Sequence, residues 1–266
     1  MKNIKFFLFL GALLISLASY TQDAKADFSS FQIKEYLFKG KTAKVVFPNI
    51  DPNGQWIWRA RFWGHEPQTD IALLDQGFHV VYIDVANLFG NQEAIKLWKS
   101  FYKHCRKKYE LNKKVVLEGM SRGGLIIYNW AAKNTHKVAC IYADAPVCDI
   151  KSWPGGLYNG IGSAKDWETC LKALDLTKES VLGFEGIPLY TSLKVAKAKI
   201  PVLHVCGDSD KVVPYKENTE KLKDKFEAAG GSIQVILKKG IGHHPHSLEN
   251  PKAIVDFIIE NTLNKN

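Results

Sequence analysis

The sequence predicts an α/β fold, a mostly parallel sheet flanked by helices, and two observations predict it. Short, strongly apolar runs bounded by turn residues read as strands buried on both faces. Helical stretches alternate with them, each placed to cross over between neighbouring strands. The strand-like runs fall at about 43–48, 56–62, 79–85, 115–119, 138–144, 201–206 and 233–238, and the helices at roughly 68–76, 91–109, 122–133, 215–229 and 251–263.

Ahead of the first run, Lys2 and Lys5 precede an almost unbroken apolar stretch from Phe6 to Leu17, and small residues follow at Ala24 and Ala26. Residues 1–26 therefore read as an export signal, and residues 6–20 are too short to span a bilayer comfortably. The expectation is an exported protein, periplasmic or secreted, with no membrane span once the signal is removed. Residues 27–266 have the size of one domain. The formal charge is +9, and Lys2, Lys5, Lys25 and Asp23 account for +2 of it, so the remainder keeps +7. That surplus favours anionic partners. Lys103, Lys107, Lys108, Lys221 and Lys223 are scattered without a nucleic-acid reading motif, so no nucleic acid is expected. None of the five cysteines shows C-x-x-C spacing, and neither a metal nor a cofactor is expected. Cys148 and Cys170 flank one excursion of the chain and are a candidate disulfide, whereas Cys140 and Cys206 read as buried thiols inside strands.

Two segments depart from the alternation. Residues 147–190 hold Trp153-Pro154-Gly155-Gly156, Gly160, Gly162 and Trp167, and read as a lid over the C-terminal edge of the sheet, where open α/β sheets bind ligands. Trp56 to His65 starts as a strand and then turns, with Arg59 and Arg61 on one face for as long as the strand lasts.

Gly119-Met120-Ser121-Arg122-Gly123 matches G-x-S-x-G, a sharp strand-to-helix turn that raises a serine above the sheet. The context agrees: Val115-Val116-Leu117 leads into the motif, and Leu125 to Ala132 continues as a helix. The flanking glycines are expected because a Cβ would collide with the adjoining strand or helix. A serine hydroxyl is a poor nucleophile without a base and a group to orient it. The chain supplies Gly207-Asp208-Ser209-Asp210-Lys211-Val212-Val213-Pro214 after one strand and Gly240-Ile241-Gly242-His243-His244-Pro245-His246 after the last.

Together these three segments, in the order Ser, Asp, His, resemble the α/β-hydrolase superfamily over about 220 residues. In that fold's count the lid is an insertion after the sixth strand. The resemblance implies a serine esterase with Ser121 as nucleophile, Asp210 as orienting acid and His243 as base. Asp208 and Asp144 stay open as alternatives for the acid, and His244 and His246 for the base. The oxyanion donors would be the N–H of Arg122 and that of Ala60 or Arg61, at a position where many members carry His-Gly.

The mouth around Ser121 is expected to gather Arg59, Arg61 and Arg122, which suit a carboxylate-bearing substrate. Against this stands pairing of Glu118 with one arginine and of Asp144 with another. Trp58, Trp63, Trp153 and Trp167 are candidates for a sugar-stacking wall or for plain packing. Export, basic mouth and elbow resemble exported carbohydrate esterases of the uronate or pectin methylesterase kind. A carbohydrate acetylesterase is one alternative; another is a peptidase resembling prolyl oligopeptidase, although no propeller precedes the hydrolase segment.

Overall fold

The chain, described for residues 27–263 by a computed structural model, folds around one eight-stranded sheet. The export signal expected in residues 1–26 lies outside the described residues. The strands are β1 (Gln32–Phe38), β2 (Lys41–Phe47), β3 (Trp56–Arg59), β4 (His79–Ile83), β5 (Val115–Met120), β6 (Val138–Asp144), β7 (Val202–Gly207) and β8 (Ile233–Lys238). The helices are α1 (Gln68–Leu74), α2 (Gln92–Lys108), α3 (Gly123–Ala131), α4 (Ala164–Leu174), α5 (Pro188–Lys197), α6 (Thr219–Ala228) and α7 (Lys252–Thr262).

The strands lie in the order β1-β2-β4-β3-β5-β6-β7-β8, and all pairings from β4 to β8 are parallel. Every residue of β5 and β6 is buried, which is why both read as unbroken apolar runs. The strand β1 has no such signature. It is an exposed edge strand held by an antiparallel hairpin to β2, whose two turn residues, Lys39 and Gly40, both take positive φ. The chain winds in one direction from β3 to β4 and in the other from β5 to β8. The C-terminal ends of β3 and β5 therefore meet at the point where the winding reverses, the place where open α/β sheets form a crevice.

The two faces bury separate apolar clusters, one with α1 and α7 and the other with α2, α3, α5 and α6. Trp58 belongs to the second. It is fully buried and stacks on Trp98 at a centroid separation of 3.9 Å, with Trp130 edge-on at 5.6 Å. Trp63 packs on Phe28 and Tyr82. A sugar-stacking wall including Trp58 and Trp63 is therefore corrected to core packing.

The strand β3 stops at Arg59 rather than near residue 62: the Ala60 N–H makes the last ladder bond, to the Glu118 carbonyl of β5, and Phe62 then turns the chain with φ 54°. With the strand goes the rule that would have aimed Arg59 and Arg61 alike. Arg59 is buried, 1% exposed, and pairs with Asp70 and with Glu118 at 3.0 Å while donating to the carbonyls of Phe62 and His65. Arg59 is thus corrected from a substrate-binding residue to a buried structural cation. Burial pushes the Glu118 carboxyl well above its ordinary range, with the Arg59 charge opposing and Asp70 adding to the rise. Removing the cation leaves two buried carboxyl groups facing each other. Arg59→Ala is expected to destabilise the protein by about 3–5 kcal/mol in a denaturant titration, a loss that Arg61→Ala does not reproduce.

The segment 147–190 contains α4, a short 3-10 turn at Ser180–Gly183 and the start of α5. The Ser163 hydroxyl caps α4 by accepting from the Asp166 N–H. All five cysteines are buried and none is in a disulfide. The candidate disulfide between Cys148 and Cys170 does not form, and the Cys148 thiol turns instead to the Pro146 carbonyl at 3.5 Å.

Candidate active site

Three backbone turns at the C-terminal edge of the sheet bring the candidate groups together. At the end of β5, Ser121 adopts φ 49°, a left-handed conformation that costs a residue with a Cβ on the order of 1–3 kcal/mol. Its surroundings hold it there: the Ser121 N–H donates to the Asp144 carbonyl at 2.8 Å, and its carbonyl accepts from Val147 at 2.9 Å and Gly124 at 3.0 Å. A Cβ on Gly119 would lie 2.6 Å from Ile127 and 2.9 Å from the Gly123 backbone, so this glycine is required. At Gly123 the nearest atoms would be 3.4 Å away, an ordinary tight contact. The second obligatory glycine is Gly124, whose Cβ would meet Pro146 at 2.7 Å and the Val147 carbonyl at 2.9 Å.

The second and third turns are joined to each other. The Ser209 N–H donates to the Ile241 carbonyl, the Asp208 N–H to the Lys238 carbonyl, and the Asp208 carboxylate accepts from the Gly240 N–H at 2.8 Å. A Cβ on Gly207 would overlap the carbonyl oxygens of Ile241 and Gly242, so this glycine lets the loop carrying His243 approach β7. Asp208 is consequently occupied as a turn residue.

These turns place Asp210, His243 and Ser121 in line. The His243 Nδ1 lies 2.7 Å from Asp210 Oδ2, and its Nε2 lies 3.0 Å from Ser121 Oγ. A carboxylate only accepts, so Nδ1 carries the proton and Nε2 presents its lone pair to the serine hydroxyl. The other Asp210 oxygen accepts from the N–H groups of Val212 and Val213 at 2.8 and 2.9 Å. Burial alone would raise the Asp210 carboxyl; the hydrogen bond and charge of His243, with those two amides, outweigh it and hold it below the usual range. The acid thus stays ionised and fixes the imidazole tautomer.

Of the proposed oxyanion donors, Ala60 is committed to the Glu118 carbonyl. The backbone N–H groups of Arg61 and Arg122 donate to no described residue, and the Arg61 backbone nitrogen lies 3.9 Å from where a Gly123 Cβ would be. That leaves Arg61 and Arg122 as the pair placed for the task. Their side chains line a small cleft with Phe89 and Gly123. Arg122 pairs with Asp166 of α4 at 3.0 Å, and its guanidinium lies 5.6 Å from the Phe89 ring and 5.8 Å from that of Trp153. Trp153 is 8% exposed, so it braces Arg122 and offers little face to a ligand. Burial, and next the charge of Arg61, lower the Arg122 pKa. Arg61 stacks on Phe62 at 4.8 Å and makes no ion pair with a described residue.

Beside this line lies a second one. The His246 Nδ1 is 2.7 Å from Asp144 Oδ1, while Asp144 Oδ2 accepts from the Ser247 N–H at 2.7 Å and the Tyr142 hydroxyl at 2.8 Å. His246 is buried and holds Asp144, so neither remains for the serine, which is bonded to His243; the exposed His244 makes no hydrogen bond or ion pair to a carboxylate among the described residues. Burial also drives His204 down to about 3, and it stays neutral between Tyr128 and Thr219. Sequence reasoning passed over His204, Asp166 and Phe89, whose roles depend on contacts between distant segments. An apolar cavity of about 400 Å³ lies between α2, α3 and the lid segment, but none of its lining residues is Ser121, Asp210 or His243.

A sequence profile of the prolyl oligopeptidase family matches residues 92–262, more than half of the chain. No curated protein matches. Among solved structures, an acylaminoacyl peptidase from Pyrococcus horikoshii superposes with a TM-score of 0.66 at 14% identity, covering 87% of this chain and 42% of that one. A puromycin-hydrolyzing peptidase from Mycobacterium tuberculosis gives 0.66 at 13%, covering 87% and 39%. Est1E from Butyrivibrio proteoclasticus gives 0.58 at 17%, covering 87% and 98%. The chain thus spans about two fifths of the length of these two peptidases. The α/β-hydrolase fold is common to all of them.

Proposed function

The chain belongs to the prolyl oligopeptidase family and is a serine hydrolase, and from that premise we propose that it is an exported serine esterase cleaving polysaccharide-linked esters, specifically the methyl ester of a uronic acid. The observation that carries this reading is the charge at the mouth. Arg61 and Arg122 line one cleft with Gly123 of the elbow, close enough for the charge of Arg61 to act on Arg122; Arg122 pairs with Asp166 and also feels Asp84, whereas Arg61 makes no ion pair among the described residues. A polyuronate brings free carboxylates beside each ester, and a guanidinium grips a carboxylate through two parallel hydrogen bonds.

The proposed cycle uses only groups already in position. Ser121 Oγ attacks the ester carbonyl as its proton passes to His243 Nε2, and the N–H groups of Arg61 and Arg122 receive the oxyanion. One such donor lowers the barrier by about 3 kcal/mol. Collapse releases methanol, protonated from Nε2, and leaves the uronyl ester on Ser121. Water then gives a proton to Nε2 and attacks the acyl-enzyme, and the carboxylic acid leaves as the proton returns to Ser121 Oγ.

Export suits a polymer substrate met outside the cell, and no helix of the described residues is long and apolar enough to cross a membrane. A second reading, a peptidase, rests on the names of two of the neighbours, and Arg61 would serve there by holding a peptide carboxylate. Est1E, an esterase by its name, matches over nearly its whole length and favours the first.

The test is methanol release from methyl-esterified polygalacturonate, beside acetate release from acetylated xylan and cleavage of an acylated peptide. Methanol release is expected, with Arg61→Ala raising KM for the charged polymer about tenfold or more and leaving KM for a neutral short-chain ester within about twofold. Equal losses on both would remove the carboxylate-binding role, and acetate or peptide turnover alone would replace the substrate class.

A further inference from the structure

Four histidines meet at the mouth of the site, and only His243 has a part in the proposed hydrolysis. His244 and His246 lie on the same loop, 5.1 and 4.9 Å from the His243 ring by centroid and 4.8 Å from each other. The fourth is His65, brought from the turn after β3 to 5.6 Å from His244 and 5.8 Å from His246. One ring nitrogen from each of His65, His244 and His246 can be chosen so that all three lie within 4.8 Å of one another.

We propose that His65, His244 and His246 form a binding site for a divalent transition-metal ion of the zinc class, and that its occupation slows turnover at the neighbouring His243. Imidazole is a ligand suited to zinc, nickel and copper. A tetrahedral zinc ion with nitrogen at about 2.0–2.1 Å needs ligand atoms about 3.3 Å apart. The exposed His244 ring can supply that closure by rotating, while the other two sit on held backbone. The peptide carbonyl of His65 accepts from the buried Arg59, and the loop carbonyls of Pro245 and Ser247 accept from Lys238.

His246 has the support expected of a metal ligand. Its Nδ1–H is held by Asp144 at 2.7 Å, which turns Nε2 outward and makes it a stronger donor; Asp144 is itself fixed by Tyr142 and Ser247. The three histidines leave a fourth position for water, which marks an open, exchangeable site rather than a closed structural one. A doubly charged ion here lies one ring away from His243, which must become an imidazolium as it takes the serine proton. The ion opposes that charge in a half-buried setting where screening is weak. The effect on rate rests on His243 being the base; the binding does not.

The test uses the full chain without a polyhistidine tag, stripped by a chelator and titrated with zinc chloride in a calorimeter, and with cobalt(II) followed by its visible absorption. One zinc per chain is expected, with tetrahedral cobalt absorption, and His244→Ala and His65→Ala should each weaken binding about tenfold or more. His65→Gln keeps size and polarity, so its loss of binding would separate ligation from packing. No saturable binding up to about 1 mM zinc, or equal affinity in all variants, would overturn the site. In parallel, zinc should lower kcat on a neutral short-chain ester about tenfold with the midpoint found by calorimetry, and His244→Ala should escape this relative to its own metal-free rate. Binding without any change of kcat would overturn the coupling to His243. Because binding is read directly, an unsuitable ester leaves that result standing.

Discussion

Replacing Ser121 by alanine is expected to lower kcat about a million-fold on any ester the protein turns over, because the nucleophile and its base act as one unit. What remains is the contribution of the oxyanion donors and of binding. Single-turnover assays with an organophosphonate should show no covalent adduct on the variant and one per chain on the parent. The elbow adds a second expectation. Ser121 sits at φ 49°, and alanine keeps the Cβ that makes this conformation costly. Glycine removes it, so Ser121→Gly should be inactive and yet more stable than Ser121→Ala by about 1 kcal/mol, seen as a higher Tm. Activity above about 1% of the parent in either variant would place the nucleophile elsewhere.

The parts legible in the sequence are those whose cause is local. Val115 to Met120 and Val138 to Asp144 are buried on both faces, so their apolar runs locate the central strands directly. The elbow, the Asp210 turn and the His243 turn follow strand ends, and their glycines and turn residues mark them. The strand β1 left no comparable trace because most of its side chains face solvent and its partner is only the next strand. Arg59 and Arg61, two residues apart, share a face only while the strand persists; its end at Arg59, about three residues short of the expected one, leaves Arg59 with Asp70 and Glu118 and puts Arg61 in the turn beyond. That Gly124 rather than Gly123 joins Gly119 as an obligatory glycine depends on how closely Pro146 and Val147, just past the end of β6, approach it. His65 joins His244 and His246 across nearly 180 positions, a separation at which spacing carries no signal.

The two histidine–carboxylate pairs at the sheet edge are separated most sharply by amide substitution. Both aspartates share the same geometry, a 2.7 Å bond to a histidine Nδ1, and differ in what the other face of the ring meets. His243 meets the serine, so Asp210→Asn should present the wrong tautomer to Ser121 and lower kcat about 10⁴-fold with little change of fold. His246 does not, so Asp144→Asn should cost stability while kcat stays within about tenfold of the parent. The acid dependence gives an independent reading of Asp144. Burial raises its carboxyl, but the hydrogen bond and charge of His246, with Lys238 and Tyr142, hold it below its ordinary range. A carboxylate whose folded pKa is depressed contributes stability that is fully present above the unfolded value, near pH 4, and is lost as the pH falls through the folded one. The stability gap between the parent and Asp144→Asn should therefore be constant from about pH 5 to 7 and shrink below about pH 4 in denaturant titrations. If Asp144→Asn instead showed the 10⁴-fold loss and Asp210→Asn did not, the base would be His246, and the serine would have to leave its 3.0 Å contact with His243 to react.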